Sequence, residues 1–272
     1  MEGTKFQLLL SEVIGNPNHY PFTTFHAENL LPAALYTQLA DDFPHEDWFV
    51  DGTVGEKRRF GTHASPEVFL QFRSAFSGWD AFMRQFETPE FLKDLYPLIY
   101  QSLRSSRGYL GSRPWVLAES VGLSALLTRQ PVEISFEFSR IPRGGLVFPH
   151  TDSANKLLSL IIYFPDPSWK ESYGGGTKFY RALDPALEQS WNSGFMTLDN
   201  LEVFEEAPYK PNYLVGFIKS SNSFHAMDPL ECPEGIVRDS LNINIYQTWP
   251  KKLSWPEKKS LGLLKHIRKL FH

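Results

Sequence analysis

Cysteine is almost missing from this chain: there is one, Cys232, in 272 residues. A single thiol excludes an internal disulfide framework and a cysteine-rich zinc site, and it fits a reducing, cytoplasmic setting. Long apolar runs are missing as well. No stretch reaches the ~18 consecutive apolar residues of a membrane span. The short run from Phe6 to Leu10 is broken by Gln7 and is too poorly flanked for a signal peptide. Internal repeats and low-complexity tracts are absent, so solenoids and disordered linkers are not expected. A formal charge of -4 gives no mark of a nucleic-acid partner. The charge is unevenly spread. From Lys251 to His272 seven Lys and Arg face one Glu, a local +6, which leaves 20 basic and 30 acidic groups in the first 250 residues.

Aromatics are abundant (22 Phe, 11 Tyr, 7 Trp), and 18 Gly with 20 Pro imply many turns. That mix suits a loop-rich β protein better than a helical bundle. The hydrophobic period changes along the chain. Pro21 to His26 reads as a short strand. A helix follows Asn29-Leu30-Leu31-Pro32, with Leu35, Leu39 and Phe43 on one side and Pro44 ending it. Pro66 to Phe86 and Pro89 to Leu103 read as two further helices, each opened by a proline, with Pro97 expected to kink or split the second. After the turn-rich Gly108 to Pro114 the spacing becomes that of strands: Val132 to Phe138, Leu157 to Phe164, Thr177 to Arg181, Tyr213 to Lys219 and Ser240 to Tyr246. Helices first and strands second predict a helical layer supporting a β-barrel or sandwich.

Within the strand-rich half stand His150-Thr151-Asp152, then His225, 73 residues after Asp152, and Arg238, 13 residues further on. Residues two apart on a strand share a face, so His150 and Asp152 can bind one ion. Two imidazoles and one carboxylate suit non-haem Fe(II), with coordination positions left open. Zinc in a structural site wants four ligands, usually with Cys, and magnesium wants oxygen donors. A shared ion requires the imidazoles of His150 and His225 to lie within about 8 Å of each other. The other histidines (His19, His26, His45, His63, His266, His272) lack such company and are expected to be structural or solvated. By period two, Arg238, Ser240, Asn242, Asn244 and Tyr246 share one face of the last strand, with Leu241, Ile243 and Ile245 on the other. A polar inner face with an arginine suits a buried carboxylate, which needs a charged partner and further hydrogen bonds.

These residues resemble the Fe(II)/2-oxoglutarate-dependent oxygenase superfamily, in particular its prolyl-4-hydroxylase-like branch. The similar stretch runs from about Ile134 to Tyr246. It includes Pro149-His150-Thr151-Asp152, Leu157 to Phe164, Gly174-Gly175-Gly176-Thr177, Asn222-Ser223-Phe224-His225 and Arg238-Asp239-Ser240-Leu241. The resemblance implies an α+β chain, mainly β: a double-stranded β-helix (jelly roll) with N-terminal helices packed on the outer sheet. It implies that His150, Asp152 and His225 bind Fe(II) and that Arg238, helped by Ser240, binds 2-oxoglutarate as co-substrate for O2 chemistry. A tyrosine common nine residues before the first histidine is Ile141 here, which leaves Tyr163 or another hydroxyl for that role. The prolyl substrate is therefore not carried over. The implied activity is hydroxylation of an unactivated C–H, in a small molecule or a peptidyl residue, with release of succinate and CO2. The implied organisation is one oxygenase domain over 1-250 (1-120 mostly helical support, 121-250 jelly-roll core) and a basic amphipathic tail over 251-272.

Two rival readings share the fold: a cupin-like metal enzyme that does not use 2-oxoglutarate, and a jelly-roll binding module without catalysis. Gly174-Gly175-Gly176 lacks the Gly-Lys-Ser/Thr ending of a phosphate loop and reads as a turn into the strand at Thr177. Trp169 and Tyr173 beside it suit either a substrate entrance or ordinary packing. In the tail, Leu261, Leu264, Ile267 and Phe271 fall on one helical face away from Lys265, Arg268 and Lys269. That face suits docking on the acidic body, a partner, or an anionic membrane surface.

Overall fold

The structure is a computed structural model that describes residues 7–49, 57–184, 186, 196–252 and 258. The basic tail beyond Lys252, Lys258 apart, lies outside the described residues, as do His266 and His272.

Two antiparallel four-stranded sheets make the core of the fold. The first interleaves β4 (Gln130–Ile141), β11 (Arg238–Gln247), β6 (Lys156–Tyr163) and β9 (Leu214–Ile218) in that order. The second interleaves β5 (Val147–His150), β10 (Phe224–Met227), β7 (Thr177–Ala182) and β8 (Leu201–Ala207). From β4 onward the chain alternates between the sheets except at β7 and β8, which pair with each other in the second sheet, and the last strand returns between β4 and β6. This is a double-stranded β-helix, as expected. The first sheet is widened by β1 (Thr24–Ala27) on β9, by β2 (Arg58–Gly61) on β4, and by the parallel strand β3 (Trp115–Leu117), also on β4.

The helices cover the outer face of that wide sheet. After the single turn α1 (Leu10–Val13) come α2 (Ala33–Asp41), α3 (Pro66–Ala75), α4 (Ser77–Phe86) and α5 (Pro89–Gly111). Each presents an apolar stripe. On α4, Trp79, Phe82, Met83 and Phe86 recur at helical spacing and are all buried. They pack on Phe136 and Phe138 of β4: the Trp79 and Phe138 ring centroids are 4.8 Å apart, and those of Phe86 and Phe136 6.2 Å. Leu158, Leu160 and Ile162 of β6 and Leu241, Ile243 and Ile245 of β11 complete this core.

The expected helix over Pro66 to Phe86 is two helices. Phe76 leaves the helical region (φ -112, ψ 83), and the weak helix formers Ser77 and Gly78 follow it. The break lets Phe72 and Trp79 both reach Phe138. Pro97 lies inside α5 without interrupting its helical dihedrals; they fail at Gly108 (φ 66) instead. Proline removes one bond of the helical ladder, and α5 is otherwise anchored by Thr88, whose side chain accepts the Phe91 N–H, and by buried Phe91, Leu92, Leu95, Ile99 and Leu103.

The interior between the two sheets is divided. One part is an aromatic plug built on Phe22, Tyr163, Phe179, Tyr209, Tyr213 and Phe217. The rest is a polar cavity, because the inward positions of β11 and β4 carry Arg, Ser, Asn and Glu where the outward ones carry Leu, Ile and Phe.

Candidate active site

β5 ends on His150, and Asp152 follows at the turn that leads to β6. His225 lies within β10, which pairs antiparallel with β5, directly opposite His150. β10 is only four residues long and buried on both faces, so it carries no alternation to read. The two imidazole centroids are 4.3 Å apart. One ligand atom from each of His150, Asp152 and His225 lies within 4.8 Å of the others, the only such group of three among the described residues. His19, His26, His45 and His63 sit elsewhere, against Thr23 and Ser102, Tyr213, Asp47 and Glu133 respectively.

Each imidazole is oriented by its own strand. Nδ1 of His150 is 2.8 Å from the Phe148 carbonyl, and Nδ1 of His225 is 3.1 Å from that of Ser223. With Nδ1–H donating to a carbonyl, Nε2 keeps its lone pair for a metal. Burial pushes both imidazoles below their ordinary pKa. His225 falls to about 3, with the nearby His150 adding to the effect. Both rings are therefore neutral at neutral pH, the form that binds metal. The Phe217 ring packs on His225 with centroids 4.4 Å apart.

Asp152 is held ionised. Burial alone would raise its pKa, but Lys156, His225 and His150 outweigh it and set the carboxyl far below the usual range. Its Oδ1 accepts from Lys156 Nζ at 2.9 Å and its Oδ2 from Ser159 Oγ at 3.2 Å. A carboxylate offers about four lone-pair positions, so these bonds fix its plane and leave room for an ion. Burial would lower Lys156, yet the Asp152 charge prevails and holds it above its ordinary value. The loop behind Asp152 is clamped from α5 by Arg107, which donates to the carbonyls of Lys156 at 2.7 Å and Lys219 at 3.3 Å. Two neutral imidazoles and one carboxylate fit Fe(II).

A cavity of about 310 Å³ runs from this triad to the start of β11. There stands Arg238, only 5% exposed. Its Nε donates to the Gly175 carbonyl at 2.7 Å and its Nη1 to Ser240 Oγ at 3.2 Å. The guanidinium carbon lies 5.0 Å from the Tyr163 ring centroid and 5.1 Å from that of Tyr209. Arg238 makes no ion pair among the described residues; the neighbouring Asp239 is taken by Arg140 at 2.7 Å. The glycine run explains part of this geometry. Gly174 and Gly175 have φ of 77 and 89, open to glycine and costly for other residues. A Cβ on Gly175 would also press on Trp169 and Tyr209 at 3.1 and 3.3 Å. The run turns the chain into β7 and aims the Gly175 carbonyl at Arg238.

His150, Asp152, His225, Arg238 and Ser240 thus all line one cavity. Tyr163 stands behind its wall: its hydroxyl is 2.6 Å from Thr177 Oγ1, and Thr177 lines the cavity. Ile141, paired with Arg238 across β4 and β11, forms an apolar part of the wall. Trp169 and Tyr173 pack on each other and, through Trp169, on Tyr209, outside the triad cavity. Sequence reading missed Thr177, Lys156, Ser159 and Tyr209 as parts of the site. Lys156, four residues after Asp152, and Thr177, directly after the glycine run, were open to inference. Tyr209 lies in an irregular proline-rich segment with no periodic signal.

No family model matches the chain, and no curated protein matches it. Solved structures do. A prolyl-4-hydroxylase from Pseudomonas putida is 14% identical, with 83% of this chain and 92% of that chain covered and a TM-score of 0.43. The non-haem α-ketoglutarate-dependent epimerase SnoN from nogalamycin biosynthesis is 13% identical, with 82% and 78% covered and a TM-score of 0.47. HygX from Streptomyces hygroscopicus, solved with nickel and 2-oxoglutarate bound, is 12% identical, with 89% and 86% covered and a TM-score of 0.44.

Proposed function

We propose that this chain is an Fe(II)- and 2-oxoglutarate-dependent oxygenase that hydroxylates an unactivated C–H of a small molecule or peptidyl residue, with release of succinate and CO2. One observation carries the reading: a buried guanidinium without a counter-ion faces the same cavity as a His-Asp-His metal triad. A buried cation left unpaired is costly, and an anion that also reaches the metal removes that cost. A 2-oxoacid with a distal carboxylate has this shape.

Bound Fe(II) would supply dioxygen activation coupled to oxidative decarboxylation of the 2-oxoacid. The chain supplies the rest. His150 and His225 present neutral Nε2 atoms, and Asp152 supplies the single negative charge. Lys156 and Ser159 hold the carboxylate plane. Arg238 and Ser240 grip the distal carboxylate, and Gly175 fixes the arginine. Phe217, Ile161 and Ile141, with Val147, Ala226 and Met227, form the apolar part of the cavity wall. A cupin-like enzyme without 2-oxoglutarate has no use for the buried Arg238, and a metal-free binding module has no use for two imidazoles held neutral and facing one carboxylate.

The test is succinate formation from 2-oxoglutarate by the full chain with ferrous iron, across a panel of amino acids, peptides and glycans, with bound metal measured in parallel. Turnover dependent on ferrous iron is expected. Failure to bind iron, or to bind 2-oxoglutarate in its presence, overturns the assignment. Among the described residues no helix is long and apolar enough to cross a membrane. We further propose a cytoplasmic setting, on the single free cysteine, and a partner or membrane-surface role for residues 251-272, on their charge.

A further inference from the structure

The cavity holds a second arginine. β2 pairs with β4 so that Arg59 stands opposite Ser139, and β11 pairs with β4 so that Ser240 stands opposite the same Ser139. Directly paired residues share a face, so Arg59, Ser139 and Ser240 form one row across three strands, and all three line the cavity. With neighbouring strands ~4.8 Å apart, Arg59 is rooted about 10 Å from the strand that carries Arg238. It therefore belongs to a different part of the space.

The charges of the cavity are otherwise matched. Lys57 pairs with Glu137 at 3.0 Å and Lys156 with Asp152 at 2.9 Å. Arg238 serves the co-substrate in the reading above. Arg59 makes no ion pair among the described residues and is exposed at the cavity wall; it acts at longer range on Glu137, so that one carboxylate, bonded to Lys57, faces two cations and leaves one positive charge unmatched. Beside it, Ser139 is 1% exposed and its Oγ has no hydrogen-bond partner. Buried hydroxyls are rarely left so. A ligand covering this row strips water from the guanidinium, and a neutral group there would leave the charge unpaired.

On this ground, and resting on the oxygenase reading, we propose that the substrate is an acid, its oxyanion group seated on Arg59 with the Ser139 hydroxyl donating to it. Carboxylates and phosphate monoesters share this chemistry. The two arms of the test separate them.

A panel of amino acids, organic acids and sugar phosphates, each matched to its uncharged amide, ester or parent alcohol, is screened against the full chain loaded with Fe(II) and 2-oxoglutarate without oxygen. Thermal shift reads binding. Stabilisation confined to charged members is expected, in the carboxylate arm or the phosphate arm. Arg59→Gln should weaken the best of them by roughly tenfold or more, Arg59→Lys by less, and Ser139→Ala should give a second, smaller loss. Equal binding of the neutral counterparts, no binding by any charged member, or an unchanged affinity in a folded Arg59→Gln variant overturns the proposal. Binding needs no turnover. A chain that binds acids through Arg59 yet never converts 2-oxoglutarate counts against the oxygenase reading alone.

Discussion

Replacing Arg238 with methionine separates its work in binding from its work in packing. The guanidinium now sits between the Tyr163 and Tyr209 rings, 5.0 and 5.1 Å from their centroids, and donates to Gly175 and Ser240. Methionine fills much of the same volume between the rings. The folded variant leaves the Gly175 carbonyl without its donor, at a cost of roughly 1–3 kcal/mol, but also removes a buried cation that has no counter-ion. The two changes oppose each other, so the stability of the metal-free protein should move by no more than about 2 kcal/mol. Co-substrate binding has no such offset. A carboxylate gripped by a guanidinium fork gains two charge-assisted hydrogen bonds, each worth about 1.5–3 kcal/mol. Losing about 3–6 kcal/mol weakens 2-oxoglutarate by roughly a hundred- to ten-thousandfold. Calorimetric titration of 2-oxoglutarate into the Fe(II)-loaded protein without oxygen measures this directly. Arg238→Lys, which keeps the charge and loses the fork, should fall between the two. An affinity within about threefold of the parent in a folded Arg238→Met protein, far inside the range just derived, would refute the assignment of Arg238 to the co-substrate.

Asp152→Ala removes the only negative ligand from the triad, so iron content and substrate-independent 2-oxoglutarate turnover should both collapse; turnover that survives unchanged shows that Asp152 is not a ligand. The buried imidazoles give the metal-free protein a pH signature. Unfolded His225 takes a proton near its ordinary 6.5, whereas in the fold it stays neutral down to about 3. The unfolded state therefore binds more protons between those values, and stability falls as pH drops through that window. Below the ordinary Asp152 value of 3.8, protonation of the unfolded chain removes the stability that its depressed pKa provides, and the fall steepens. Thermal unfolding across pH should show the slope in the parent and a smaller one in His225→Gln; identical slopes would exclude His225 as its source. Phe138→Ala, at the meeting point of Phe43, Phe60, Phe72 and Trp79, should cost about 3–5 kcal/mol in denaturant unfolding. Gly175→Ala strains a left-handed position and shifts the carbonyl that aims Arg238, so it should raise the KM for 2-oxoglutarate more than it lowers thermal stability; the reverse order would detach Gly175 from the site.

The parts of this molecule legible in the sequence are those governed by a simple period. β4, β6 and β11 were found because long strands show either alternation or a continuous apolar run. The amphipathic helices were found because their stripes recur every three or four residues. Most shorter or mixed elements escaped, although β1 and β7 were read from their aromatic and β-branched residues. β8 reads Leu-Glu-Val-Phe-Glu-Glu-Ala, with Glu202, Val203 and Glu206 exposed and Phe204 and Glu205 half-buried, so its glutamates hide the pattern. β2 has four residues, two of them arginine, and nothing in so short a run marks a strand. The division between α3 and α4 depends on two aromatic residues reaching one phenylalanine on β4. That is a tertiary demand, which the weak helix formers Ser77 and Gly78 permit but do not by themselves impose.

The triad was legible for a further reason. His150 and Asp152 are two apart at the end of a strand, and a metal joining them to a distant histidine needs a second strand beside the first. The double-stranded β-helix supplies it: β10 lies next to β5 and sets His225 opposite His150. The same topology makes β11 both the wall of the cavity and the floor of the core. Its inward residues are Arg238, Ser240, Asn242, Asn244 and Tyr246; its outward ones, Leu241, Ile243 and Ile245, are fully buried under the helices. A one-residue slip in this strand would turn arginine and serine into the aromatic core and leucine into the cavity. The helices, by fixing which face of β11 is apolar, therefore also fix where the guanidinium points. That coupling gives the helical layer a part in chemistry it never touches. It is why Phe138→Ala, on the face of β4 turned away from His150, Asp152 and His225, should raise the KM for 2-oxoglutarate as well as lower stability, while a substitution at solvent-exposed Leu70 should change neither.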